Sequence, residues 1–371
     1  MGNNIRNKSC PCGSGKKYKK CHGSPDFKPL NIYEIDNYFR INYTRKICMA
    51  PEKLKKNCSR RIIKAHTISK SNNLKKIAKD SHVYGFKKSI LFLDKNNGIF
   101  PIEKIGINKA SVLNNFCSKH DKELFSVIED NEMLFSNEQI FKLAYRSICN
   151  ELYLKRASVN NQKNINEKIP LYILFSIKEI IDSIIEGSEV AIRDLEYLKQ
   201  YYDKNIIEQS FDTIKYYIMI IDKIPEIFNN AAWIPTVDFN NNFLANLENK
   251  NRIFNTLTVN TIQFNGKGAI VFAWHNIIEC QDCIKFIKSL HKIENEYKSL
   301  AILKWLFECN ENIYFSIDWW DKLEQNIKDE LIKSYMNMTK LKQNISNYKN
   351  LYGAINWKII DIKTNIEQLN E

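Results

Sequence analysis

Three thiols and an imidazole lie within thirteen residues near the amino terminus: Cys10, Cys12, Cys21 and His22, a C-x-C-x8-C-H run. Thiolates with one imidazole are the donor set that four-coordinate zinc prefers. Between the two pairs, Gly13-Ser14-Gly15 supplies the turn that lets the second pair meet the first. Residues 1–25 are mostly Asn, Lys, Ser, Gly and Cys, with almost nothing apolar. Hydrophobic burial cannot order such a segment, whereas a bound metal can.

A second set is more dispersed. Cys58-x7-His66 and Cys117-x2-His120 together offer two thiols and two imidazoles, enough for another zinc site. Arg60, Arg61, Lys64, Lys70, Lys75 and Lys76 surround it. Positive charge beside a metal centre is what phosphate contact requires, whether binding or cleavage follows. Three readings stand open here: a structural second zinc, a catalytic centre, and unrelated thiols and imidazoles.

The run CPCGSGKKYKKCHG resembles the SEC-C motif, the small zinc-binding element at the C-terminus of the bacterial preprotein translocase ATPase. That resemblance covers about residues 8 to 23. It implies Cys10, Cys12, Cys21 and His22 as zinc ligands, with Lys16, Lys17, Lys19 and Lys20 on an exposed loop. It also implies an interaction or RNA-contact module that faces a chaperone or the ribosome. The stretch 58–125 resembles a degenerate HNH-type ββα-metal unit, in which Ala65-His66-Thr67-Ile68 leaves a basic strand and Asn114-Asn115 runs into Cys117-x2-His120 before a helix. This second resemblance implies His66 as general base, Asn114 or Asn115 as orienting amide, and His120 with Asp121 as metal ligands.

The elements that must hold these residues follow from apolar spacing. Leu30, Ile32, Ile35, Tyr38 and Phe39 predict a helix within residues 26–46, and Lys53 to Lys64 reads as a basic loop. Residues 82–107 predict two short strands around a Lys95-Asn96-Asn97-Gly98 turn. Ser136 with Gln139 forms a capping box for a helix to about Leu154, and further helices are expected near 168–186, 189–202 and 206–228. Asn265-Gly266 between LTVNTIQF and GAIVFAW is a strong hairpin signal, and helices return over 281–345. Cys280-x2-Cys283, Trp319-Trp320 and the pairs Tyr201-Tyr202 and Tyr216-Tyr217 read as core. The expected fold is α+β, mainly α. A zinc-stapled element at 1–25 leads into a hairpin-containing basic region at 26–130, followed by a helical body at 131–371 with a short antiparallel sheet near 233–275.

Charge sharpens the functional reading. Residues 1–130 hold 27 Lys+Arg against 11 Asp+Glu, so the whole net charge of +13 lies in the first third of 371 residues. Such concentration points to a polyanion, nucleic acid above all. No apolar run approaches the length of a membrane span, and ten cysteines without a secretion signal point to thiols and metal ligands in the cytoplasm. A phosphate-loop motif, a G-x-S-x-G elbow, a dinucleotide fingerprint and a kinase signature are all absent. The expectation is a zinc-binding bacterial protein that engages nucleic acid through its basic region. Its rivals are an HNH-type nuclease serving defence against foreign DNA, and an adaptor docking on a chaperone or ribosome. Oligomeric state is open at this level.

Overall fold

β-branched runs bounded by turn residues dominate the strands of this chain, and 3.6-residue spacing dominates its helices. The computed structural model describes residues 5–87, 89, 95–247, 249, 251–277, 280–337 and 343–370. Two compact units emerge. The smaller comprises Met1–Arg45, Lys88–Ile99 and Leu152–Arg193, and the larger comprises Lys46–Lys87, Phe100–Glu151 and Asp194–Glu371. Each is assembled from separated stretches, where the sequence predicts consecutive sections at 1–25, 26–130 and 131–371.

Helix α1 spans Ile32–Tyr43, within the predicted segment. Helix α2 is Ser118–Glu129, α3 is Asn137–Asn166 and α4 is Leu171–Glu208. The capping box opens α3 as expected: Ser136 Oγ accepts from Gln139 N at 3.3 Å, and Gln139 Oε1 accepts from Ser136 N at 3.4 Å. The helix runs beyond Leu154. The helices predicted at 168–186 and 189–202 are one continuous element, α4, which ends where Gln209 takes a left-handed φ of 53°.

The predicted helix over 206–228 is a correction. After Gln209 the chain forms strands β5, Ile214–Ile221, and β6, Ile227–Trp233. IKYYIMII is apolar on both faces, and such a run fits a strand buried on both sides as well as a helix. Six of its eight residues, Ile214 and Tyr217 through Ile221, are buried.

Numbered along the chain, the earlier strands are β1, Ile62–His66; β2, His82–Phe86; β3, Ile102–Gly106; and β4, Val112–Cys117. The later ones are β7, Leu257–Phe264; β8, Lys267–His275; β9, Ile313–Phe315; and β10, Ile359–Thr364. Eight of them make one sheet in the order β10-β5-β8-β7-β6-β9-β2-β3, with every neighbouring pair antiparallel. This is far larger than the short sheet the sequence suggests. The β7–β8 hairpin turns at Asn265 and Gly266, with φ of 47° and 76°, the double left-handed geometry that Asn-Gly favours. Helices α5, Gln281–His291, and α6, Asn295–Cys309, contribute Phe286, Trp305 and Leu306 to the core, where they join Ile270, Phe272 and Trp274 of β8. Tyr202, Tyr217, Trp320, Cys280 and Cys283 are core residues, as expected.

Strands β1 and β4 form a separate antiparallel pair, with Ile62 opposite Cys117 and His66 opposite Val112. Helix α2 follows β4 directly. The predicted loop over Lys53–Lys64 is instead a 3-10 turn, Glu52–Asn57, followed by the start of β1. An amide chain joins this pair to the large sheet: Asn115 donates to Asn150 at 2.6 Å, Asn150 to Asn230 at 2.7 Å, and Asn230 to Asn260 at 2.7 Å. All four are buried, so each bond satisfies a group that water cannot reach. Among the described residues no helix is long and apolar enough to cross a membrane.

Candidate metal centres

In the smaller unit the N-terminal run folds back on itself. Cys10 N donates to the Lys16 carbonyl at 2.7 Å, and Ser9 bridges Lys17, a minimal hairpin whose turn places Gly13 and Gly15 at φ of 81° and 70°. A side chain there would be strained. A 3-10 turn, Tyr18–Lys20, then delivers Cys21 and His22. Gly23 lies against the Tyr18 ring, which leaves no room for a β-carbon.

The donor atoms of Cys10, Cys12, Cys21 and His22 all lie within 4.8 Å of one another. Cys10 Sγ is 3.1 Å from His22 Nδ1, Cys21 Sγ is 3.4 Å from the same nitrogen, and Cys12 Sγ is 3.5 Å from Cys21 Sγ. Tetrahedral zinc with Zn–S of ~2.3 Å separates its donors by roughly 3.5–3.8 Å. The set therefore fits a metal ion of that size and preference. His22 Nε2 donates to the Ile169 carbonyl at 2.9 Å, which fixes the tautomer and leaves the Nδ1 lone pair facing the thiols. Burial pushes the Cys21 thiol up to about 11. Cys12 is lowered, because hydrogen bonds from the Ser14 side chain and backbone outweigh its own burial. Ile165 and Ile169 pack on Cys10 and Cys12, and Lys16 pairs with Glu167 at 2.7 Å. Lys16, Lys17, Lys19 and Lys20 are all exposed.

The larger unit holds a second cluster: Cys48, Cys58, Cys117 and His120, again with all donor atoms within 4.8 Å. His120 Nδ1 is 3.4 Å from Cys48 Sγ and 3.4 Å from Cys117 Sγ. Cys58, Cys117 and His120 belong to the set drawn from sequence, but the fourth member of that set, His66, is not in the cluster: its Nε2 donates to the Ile107 carbonyl at 2.9 Å, and Cys48 takes its place. The signal for Cys48 in the sequence is only a thiol ten residues before Cys58. What delivers it is backbone pairing, since Ile47 N donates to the Asn114 carbonyl at 3.1 Å and Met49 N to the Asn115 carbonyl at 2.8 Å. Cys117 ends β4 and caps α2, with its Sγ accepting from His120 N at 3.5 Å. Burial would push the Cys117 thiol up, but the backbone of His120, both side chain and backbone of Ser59, and the Cys58 thiol bring it down to about 6. Cys48 is pushed up to about 11 by burial.

His66 belongs to no cluster of three or more ligand-type groups among the described residues, and burial lowers its pKa. Asp121 is pushed up to about 6 by burial and also stands outside the second cluster. Asn115 is committed to Asn150, and the Asn114 carbonyl to Ile47. Of the residues that the HNH-type reading names, His120 is in the second cluster, while His66 and Asp121 are not. Past the end of β1 lies a polar cavity of about 280 Å³, lined by Thr67, Ser69, Asn72, Glu129, Arg146 and Asn260 among others. Arg60, Arg61, Lys64, Lys75 and Lys76 are exposed, while Lys70 is half-buried and donates to Asn108 at 3.1 Å.

Residues 6–24 match the family model of the SEC-C motif. Over 23 residues the chain is 78% identical to the protein translocase subunit SecA 1 of Thermobifida fusca (strain YX), a stretch that is 6% of this chain and 2% of that protein. No solved structure matches the chain. The likeness thus reaches the N-terminal element alone, and what it identifies is a SEC-C motif at residues 6–24 on a mixed α+β protein in which helix predominates.

Proposed function

We propose that this protein binds zinc through Cys10, Cys12, Cys21 and His22 and engages nucleic acid through its basic segments. The observation that carries the second half lies between Lys46 and Lys64, where seven cations face one carboxylate, Glu52. All seven are exposed. Lys55 pairs with Glu52 at 2.6 Å, and the other six have no ion-pair partner among the described residues. Unneutralised guanidinium and ammonium groups on an ordered turn and strand suit contact with successive phosphates, where counterion release drives association. Lys16, Lys17, Lys19 and Lys20 offer a second basic loop, whose order depends on the zinc element. The ten unpaired thiols fit a reducing compartment such as the cytoplasm.

Binding of fluorescent 20-nucleotide DNA and RNA, single- and double-stranded, tests this across a salt series. The expected result is affinity that falls steeply with salt, and a log–log slope that drops by about 2 in Arg60→Ala/Arg61→Ala. Undetectable binding at low salt overturns the nucleic-acid half. The 78% identity to a translocase subunit favours a second reading, a protein partner docking on the zinc element. That reading predicts an interaction that survives high salt and is lost in Cys12→Ser. Cleavage of the same probes with magnesium, abolished by His66→Ala, would replace both with a nuclease.

A further inference from the structure

We infer that Cys48, Cys58, Cys117 and His120 form a second zinc site, which clamps the basic segment 46–61 onto the β1–β4 pair and helix α2. Four donors arrive from four separate places: the segment alongside β4, the end of the 3-10 turn, the end of β4 and the first turn of α2. Convergence of all four within 4.8 Å, with two imidazole–thiol distances of 3.4 Å, is close to the roughly 3.6 Å that tetrahedral zinc sets between nitrogen and sulfur ligands. Three thiols with one imidazole select zinc over the oxygen-seeking cations.

Packing alone does not account for the arrangement. Cys149 and Cys309 show what core thiols look like here, buried on α3 and α6. Cys48 and Cys58 are half-exposed and sit in the most basic stretch of the chain. Arg60, two residues beyond Cys58 and two before β1 begins at Ile62, holds a left-handed φ of 58°, an uncommon conformation for a residue other than glycine. Three thiolates on a divalent ion would leave the site anionic, within the same basic stretch of sequence as Arg60, Arg61 and Lys64.

Elemental analysis of the full chain after exhaustive desalting tests the site independently of any nucleic acid. Two zinc per chain are expected in the wild type and in His66→Ala, one in Cys48→Ser, one in Cys12→Ser, and none in Cys12→Ser/Cys48→Ser. Cys48 is half-exposed, so its serine variant keeps the buried packing of Cys117. Alkylation of the wild type gives a readout free of any variant. Cys48, Cys58 and Cys117 should resist iodoacetamide until a chelator is added. One zinc per wild-type chain with Cys48 and Cys58 freely alkylated overturns the proposal. So does retention of two zinc in Cys48→Ser, loss of one in His66→Ala, or a disulfide between any two of the three thiols. A missing first zinc would instead appear as no change in Cys12→Ser, which leaves this second site standing.

Discussion

In the smaller unit four donors come from residues 10–22, while in the larger unit the same donor types come from residues 48–120. The first cluster is local. Its ring closes through one hairpin turn and a 3-10 turn, and its apolar support is little more than Ile165 and Ile169 with partly buried neighbours. The second is held by a scaffold that exists for other reasons: the β1–β4 ladder, the Phe116–Phe125 edge contact at 5.0 Å, and the buried amide chain from Asn115. A metal in the first site would supply the fold of its element, whereas a metal in the second would fasten the segment carrying Cys48 and Cys58 onto a β1–β4 and α2 scaffold that packing already holds.

The comparison breaks most visibly on metal removal. With chelator, amide exchange over residues 6–24 should rise to that of an open chain, since structural zinc supplies about 10 kcal/mol or more of ordering free energy in elements of this size. Exchange in Ile62–His66 and Val112–Cys117 should rise about tenfold at most. Equal loss in both segments, read by mass spectrometry, would show that the second cluster also depends wholly on metal. Substitution separates the two further. Cys117→Ser, at a fully buried position, should lower the unfolding free energy of the larger unit by about 4 kcal/mol, and Cys12→Ser should leave that transition unchanged. Denaturant melts followed through tryptophan emission measure both.

The scaffold itself can be weakened without touching a thiol. Asn150→Ala strips partners from the buried amides of Asn115 and Asn230, and should cost about 2 kcal/mol. If zinc content stays at the wild-type value in that variant, packing and metal contribute separately. The last effect is absent at neutral pH. His275 is a buried imidazole outside both ligand clusters, and burial pushes it down to about 4 from an ordinary 6.5. The unfolded chain takes up a proton as pH falls through 6.5, and the folded chain resists until about 4. Stability therefore declines across that window and is unaffected by this group above it. Thermal melts from pH 8 to pH 4 should show the decline in wild type and less of it in His275→Asn.

Much of the molecule is legible in residue order. The C-x-C-x8-C-H run, the Ser136–Gln139 box, the helix around Ile32–Tyr43 and the Asn265-Gly266 turn each depend on residues within a few positions of one another, so local chemistry decides them. The β5 strand is not legible in that way, because an apolar run fits a buried strand and a buried helix equally until its neighbours are known. His66 misleads for a related reason. Its spacing from Cys58 suggests a ligand, but His66 ends the extended strand β1 and meets the Ile107 carbonyl instead.

Residue order is enough for the first candidate ligand set, for the concentration of positive charge before residue 131, and for most of the helices. That Cys48 joins Cys117, that strands from residues 82 to 364 share one sheet, and that His66 is outside the cluster follow from long-range pairing alone. Donors 69 positions apart along the chain have no local signal linking them. They meet because backbone hydrogen bonds lay residues 47–49 along β4, and that register exists only once the strand itself has been paired and buried.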